Sequence, residues 1–146
     1  MDTTDRRLRR CARVLEWDAA HRVMRHESKC AHLHGHRYRA VIEVTAYELD
    51  SVDRVIDFGV VKERVGAWVD EHWDHGTLIN LHDAPLREWL EVFDQRRYYF
   101  HGEPTAENIA ERLLQVATKL LRPLRVDRVR VWETPNCWAE AIGHAS

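Results

Sequence analysis

The chain has only three cysteines, Cys11, Cys30 and Cys137, odd in number and widely spaced. That excludes a disulfide framework and a CxxC zinc knuckle, and leaves at least one thiol free. It also lacks any apolar run approaching the roughly 20 residues that a membrane-spanning helix needs. The N-terminus, MDTTDRRLRRCARVLEW, carries charges where a secretory signal needs an apolar centre, so a cytoplasmic address is expected. There is no internal repeat and no low-complexity segment. No strong charge of one sign appears either: the formal net charge of -2 argues against general binding to nucleic acid. Arg6, Arg7, Arg9, Arg10 and Arg13 do cluster near the start, but no aromatic platform is interleaved with them, and they read as a solvated strand edge or tail.

What is present suits one soluble domain. The chain has 146 residues, 45% of them apolar and 32% charged, enough for a real core and short for two domains. The single domain expected is 1–146, with 1–12 as a tail or strand start and 81–103 as an extended loop or insertion. Residues 13–21 alternate so that Leu15, Trp17, Ala19 and His21 share one face of a strand. Residues 34–47 alternate likewise, with His34, His36, Tyr38, Ala40, Ile42 and Val44 on one side. From Val60 the period becomes helical, with Val61, Val65, Trp68, Val69 and His72 as a stripe. A second helix fits Thr105 to about Leu121; Pro104 and Thr105 mark its start and Pro123 its stop. The tail reads as a hairpin, with Val129, Val131 and Glu133 on one face and TPN as the turn. The expectation is an α+β domain in the order ββααββ, a four-stranded antiparallel sheet with both helices on one face. Its two open edges point to an oligomer built edge to edge.

The stretch CAHLHGHRY, 30–38, concentrates the chemistry. Histidines two apart on a strand point the same way, so His34 and His36 can offer two nitrogens to one ion, with Gly35 leaving space between them. If the first two strands pair antiparallel through the loop at 22–33, His21 supplies a third. Three neutral imidazoles suit Zn2+ and leave a fourth position open, as in catalytic sites. His32 has the same parity as His34 but falls in the loop and reads as a bystander. Spacing does not decide whether Cys30 is a fourth ligand or a base beside the metal. On spacing alone, Asp74-His75 reads as a solvated turn, Glu133 as the border of a turn, and Thr105 as an N-cap. Cys11 and Cys137 read as small buried residues. Arg25, His26 and Lys29 lie in the loop, where they suit either a triphosphate contact or a mobile charged segment.

Six blocks in order, WDAAH (17–21), Cys30 with LHGHRY (33–38), VIDFGVVK (55–62), WDHGTLIN (73–80), PTAENIA (104–110) and VWETP (131–135), resemble the 6-pyruvoyltetrahydropterin synthase family. The resemblance spans about residues 13–142, and the short gap between Cys30 and His34 looks like the bacterial branch, 6-carboxytetrahydropterin synthase of queuosine biosynthesis. It implies the tunnelling fold, a homohexamer (dimer of trimers) with sites between subunits, and Zn2+ on His21, His34 and His36. The catalytic cysteine of the family falls on Cys30 and its Asp-His pair on Asp74 and His75. The pterin-anchoring glutamate falls on Glu133, with Thr105 and Glu107 in supporting contacts. The substrate implied is 7,8-dihydroneopterin triphosphate, with 6-pyruvoyltetrahydropterin as the alternative product and a non-catalytic pterin- or metal-binding homologue as the alternative of another class. Two departures stand out: Trp17 where the family usually has phenylalanine, close enough to His21 to reshape the pocket, and the long 81–103 segment. Within that segment WLEVF and RRYYF read as a short helix and an edge strand.

Overall fold

The computed structural model describes residues 6–143, so the first five positions of the expected tail lie outside the described residues. β1 (Arg9–His21) and β2 (His34–Ala46) pair antiparallel without a break, from Arg9 opposite Ala46 to His21 opposite His34. Leu15, Trp17, Ala19 and His21 are all buried, as the alternation predicts. β5 (Arg125–Thr134) pairs antiparallel with β2, and β6 (Cys137–Ile142) returns along β5 after a two-residue turn.

The sheet departs from expectation in strand number and direction. It has six strands in the order β4-β3-β1-β2-β5-β6. β3 (Gly76–Asn80) runs parallel to the last three residues of β1, and β4 (Arg97–Phe100) runs parallel to β3. The sheet is therefore mixed. All five residues of β3 are buried, so its sequence, GTLIN, shows no period-two alternation for a sequence reading to detect. Because β3 covers only Ala19–His21, the earlier part of β1 keeps an open edge. The arginine cluster sits at that end, with Arg10 paired to Asp127 at 2.8 Å and Arg6 to Glu48 at 2.9 Å.

Helices α1 (Phe58–Val61) and α2 (Ala67–His72) run on through a π-helical turn (Lys62–Gly66). Asp57 caps the start, accepting the Gly59 N–H at 2.7 Å. Val61, Val65 and Val69 form its buried stripe, whereas Trp68 and His72 stay partly exposed and meet in a tilted contact with ring centroids 4.6 Å apart. α3 (Ala84–Val92) precedes β4, and α4 (Ala106–Leu120) begins at Thr105, whose hydroxyl accepts the Asn108 N–H at 3.3 Å. Ile109, Leu113 and Ala117 of α4 join the valine stripe and the inward residues of β1, β2 and β5 in one core. α3 lies elsewhere: Trp89 and Leu90 share a cleft with Asp18, Ala20, Gly35 and Arg37, which alternate with the core residues on β1 and β2. The 81–103 segment thus adds a helix over the other face and an edge strand.

Trp17 belongs to this core. It stacks on Tyr38 at 5.3 Å and meets Trp73 at 5.4 Å, and it lines none of the clefts around the histidines. Leu113 is fully enclosed. We expect Leu113→Ala to lower the free energy of unfolding by about 2–5 kcal/mol in a denaturant titration, through lost burial and the cavity left behind.

Candidate functional site

The unbroken β1–β2 register makes His21 and His34 direct partners, and His36 follows on the same face. One ring nitrogen of each lies within 4.8 Å of the other two. Carbonyl oxygens fix two of the rings: His21 Nδ1 meets Pro104 O at 2.7 Å, and His34 Nδ1 meets His32 O at 2.6 Å. A carbonyl only accepts, so both Nδ1 atoms carry the proton and both Nε2 atoms present lone pairs. Those two Nε2 atoms face each other at 3.1 Å. His36 Nε2 is buried with no hydrogen-bond partner. Facing lone pairs and an orphaned buried nitrogen are costly by themselves and fit one shared cation. The donor set therefore suits the zinc ion expected from the sequence. His32 contributes its carbonyl and leaves its ring in solvent.

Two of the histidines, His21 and His36, are held neutral. Burial pulls the His21 imidazole from its ordinary 6.5 down to about 4, opposed by the Pro104 carbonyl and reinforced by His34 and His36. His36 moves down as well, through burial and then His34. Neutral imidazole is the form that ligates.

Glu133 ends the inward face of β5. Its Oε1 stands 3.8 Å from His21 Nε2, nearer the imidazoles than a carboxylate reserved for the far end of a substrate would be. It is nevertheless absent from the group whose ligand atoms all lie within 4.8 Å. Burial and then the Glu107 carboxylate push the Glu133 carboxyl up, with His34 acting against them. Tyr38, beneath the triad at 5.8 Å from His21 and 5.5 Å from His36 between ring centroids, is raised far above the ordinary phenol range by burial and then Glu133.

A cleft of about 340 Å3 brings together His21, His26, Cys30, Thr105, Glu107 and Glu133. Cys30 comes from a short 3-10 turn, Lys29–Ala31, and its carbonyl accepts the Val23 N–H at 2.9 Å. It is absent from the histidine group, so it is not placed as a fourth ligand. Cys137 also lines this cleft and is exposed, a correction to the expectation of a buried residue; Cys11 is half-buried in β1. The strand-start position of Cys137, just past the hairpin turn, explains its exposure.

Asp74 and His75 open elsewhere. Asp74 Oδ2 accepts from His75 Nδ1 at 2.9 Å, and Asp74 Oδ1 accepts the Asp18 N–H at 3.1 Å. The His75 N–H donates to Asp18 O at 2.7 Å, which fixes a left-handed backbone with φ of 59°. Burial acts upward on the Asp74 carboxyl, but its bonds to Asp18 and His75 hold it below the usual range. His75 lines a second cleft, of about 520 Å3, with His36, Arg37 and Trp89. A third, of about 580 Å3, is lined by His36, Arg37, Arg39, Trp132 and Glu133. Asp18, Asp74 and His75 also fall within 4.8 Å of one another, but Asp18 is paired with Arg37 at 3.0 Å and Asp74 with His75. Sequence reasoning missed Asp83 and Glu103, two carboxylates buried at the two ends of the long insertion. Isolated acids in a charged segment carry no spacing signal.

An α+β fold whose sheet converges three imidazoles beside a thiol and two carboxylates defines the class, and the sequence comparison identifies it. The pattern of the 6-pyruvoyl tetrahydropterin synthase family matches residues 10–143, and the chain belongs to that family. A Rickettsia bellii protein named 6-carboxy-5,6,7,8-tetrahydropterin synthase is 38% identical over 135 residues, covering 90% of this chain and 98% of the relative. A Haemophilus influenzae protein of the same name is 27% identical, covering 88% and 95%. Among solved structures, an uncharacterized protein from Wolinella succinogenes superposes with a TM-score of 0.82 at 21% identity, covering 94% of this chain and 99% of the other. The 6-pyruvoyl tetrahydropterin synthase of Caenorhabditis elegans gives 0.68 at 21% identity, covering 94% and 97%. These likenesses establish the tunnelling fold. No helix among the described residues is long and apolar enough to cross a membrane.

The displaced histidine sets a pH dependence. His21 binds a proton in the unfolded chain below 6.5 and in the folded chain only below about 4, so stability rises with pH across that window. Metal-free protein should lose about 3 kcal/mol of unfolding free energy on going from pH 6.5 to pH 4. Urea titrations at several pH values should show that fall, and His21→Gln should flatten it.

Proposed function

We propose that this chain converts 7,8-dihydroneopterin triphosphate and one water into 6-carboxy-5,6,7,8-tetrahydropterin, acetaldehyde and triphosphate. Zn2+ on His21, His34 and His36 serves the reaction, and the product enters queuosine and related 7-deazaguanine biosynthesis in the cytoplasm. The observation that carries this reading is the single cleft joining His21 to Cys30, Thr105, Glu107 and Glu133. The names of the relatives in Rickettsia and Haemophilus support the product assignment.

Zinc, when bound, supplies a Lewis acid to the oxygens of the substrate side chain. Cys30 faces the same cleft from its turn and exchanges a proton with a side-chain carbon, the work of a general acid or base. Glu133, once swung away from His21, accepts two parallel N–H bonds from the amino-pyrimidinone edge of the pterin. It must be ionised for this, and the upward push from burial and Glu107 is relieved when those donors arrive. Thr105, fixed as the α4 cap, borders the ring. Asp74 accepts a hydrogen bond from the Nδ1–H of His75 and so leaves Nε2 free to move a second proton.

The dyad and the thiol line different clefts of one chain. In our reading the chain forms a homohexamer, a dimer of trimers joined through the outer strands β4 and β6, and the Asp74–His75 pair of one copy serves Cys30 of another. Mixed oligomers of Cys30→Ala and His75→Ala chains should then recover turnover that neither parent shows; absence of recovery in verified mixed oligomers rules the shared site out.

Purified zinc-loaded protein incubated with dihydroneopterin triphosphate should release acetaldehyde and yield the 6-carboxy product by mass analysis. A 6-pyruvoyl product without acetaldehyde would assign the other family activity, and no product would mark a binding protein. Cys30→Ala should keep metal near one per subunit while kcat falls on the order of a hundredfold or more. His34→Ala should lose metal and activity together.

A further inference from the structure

The loop 22–33 leaves one zinc-site histidine and returns to another, and it carries Cys30. Its internal bonds are local: Val23 N–H donates to Cys30 O at 2.9 Å, His26 N–H to Val23 O at 3.0 Å and Ser28 N–H to His26 Nδ1 at 3.0 Å, while Ala31 N–H to Ser28 O at 3.1 Å and His32 N–H to Lys29 O at 3.0 Å close the turn around Cys30. Its first residues, however, are gripped from outside. Asp83, 1% exposed at the start of α3, accepts the Arg22 Nε–H at 2.5 Å and a second guanidinium N–H through its other oxygen. Glu103, 8% exposed, accepts the Met24 N–H at 2.9 Å through one oxygen and meets Arg25 Nε at 3.4 Å through the other. Glu103 is itself pinned, because its carbonyl accepts Asn108 Nδ2 at 2.8 Å and the Thr105 N–H at 2.9 Å.

We propose that Asp83 and Glu103, one at each end of the 81–103 segment, are positioning residues for the Cys30 thiol, clamping residues 22–25 and so setting where the 29–31 turn presents the sulfur. Val23 lies between the two anchored residues Arg22 and Met24. The anchors orient its peptide, and that peptide N–H holds the carbonyl of Cys30. Buried carboxylates are costly unless donors meet them. Here the donors come from the thiol loop alone, among the described residues, for the side chain of Asp83 as for that of Glu103. The clamp therefore closes only with the loop seated. It gives the long insertion a task that its α3 and β4 elements do not reveal.

The consequence for turnover rests on the proton-transfer reading of Cys30, but the placement of the sulfur is measurable without any substrate. In zinc-loaded protein, iodoacetamide modification of each cysteine is followed by peptide mass mapping. Glu103→Ala should change the rate at Cys30 on the order of threefold or more while Cys11 and Cys137 keep theirs. Zinc content should hold, KM should change little, and kcat should fall on the order of a hundredfold, the scale for a misplaced reacting group. Glu103→Gln keeps an acceptor for the Met24 N–H and should restore most of the Cys30 rate and of kcat. Asp83→Asn, which keeps the volume and weakens the Arg22 grip, should move the Cys30 rate in the same direction, and it provides the reading if Glu103→Ala does not fold. An unchanged Cys30 rate in folded, zinc-loaded variants overturns the clamp, as does activity lost only in proportion to zinc. A wild type with no synthase turnover but with the Cys30 shift intact would sink the synthase reading and leave the clamp standing.

Discussion

The alignment of β1 against β2 governs everything built on it. A shift of one residue would turn every side chain of one strand to the other face. His21 would then point away from His34 and His36, and Trp17 would leave Tyr38. The register is held by the alternation of Leu15, Trp17 and Ala19 on one strand with Tyr38, Ala40, Ile42 and Val44 on the other, all buried in one core. The imidazole centre therefore inherits its precision from apolar packing. Three histidines at the rim of a packed sheet need little reorganisation to share an ion.

The polar parts of the site depend on segments whose main role is elsewhere. Glu103-Pro104-Thr105 shows this most clearly. Glu103 holds the thiol loop, the Pro104 carbonyl orients His21, and Thr105 caps α4 while bordering the cleft. Three consecutive residues thus link the loop, a histidine and a helix start. The electrostatics follow the same economy: burial keeps His21 and His36 neutral for ligation, while hydrogen bonds from β1 and His75 keep Asp74 ionised.

Much of this was legible in the sequence. Period-two alternation marked β1, β2 and β5, and the valine stripe and the Pro104–Thr105 start marked the two long helices. The HxH pair with a strand-end histidine predicted the convergence of His21, His34 and His36. β3 escaped because a five-residue strand buried throughout has no alternation. Its parallel pairing with β1, and the resulting mixed sheet, escaped with it. The separation of Asp74–His75 from Cys30 was also hidden, because the family motifs give order along the chain and not the side of the sheet on which each opens. Asp83 and Glu103 were silent for a different reason: their partners are an arginine and a backbone N–H about sixty to eighty positions away in the chain.

The β2–β5 ladder begins only at Arg39 opposite Trp132, although β2 itself starts at His34. Among the described residues, His34–Tyr38 thus have no ladder partner on the β5 side. His36 and Glu133 border openings on more than one flank of the sheet there. The imidazole cluster therefore stands where the ladder ends, at the meeting of several clefts, although His21 itself stays enclosed.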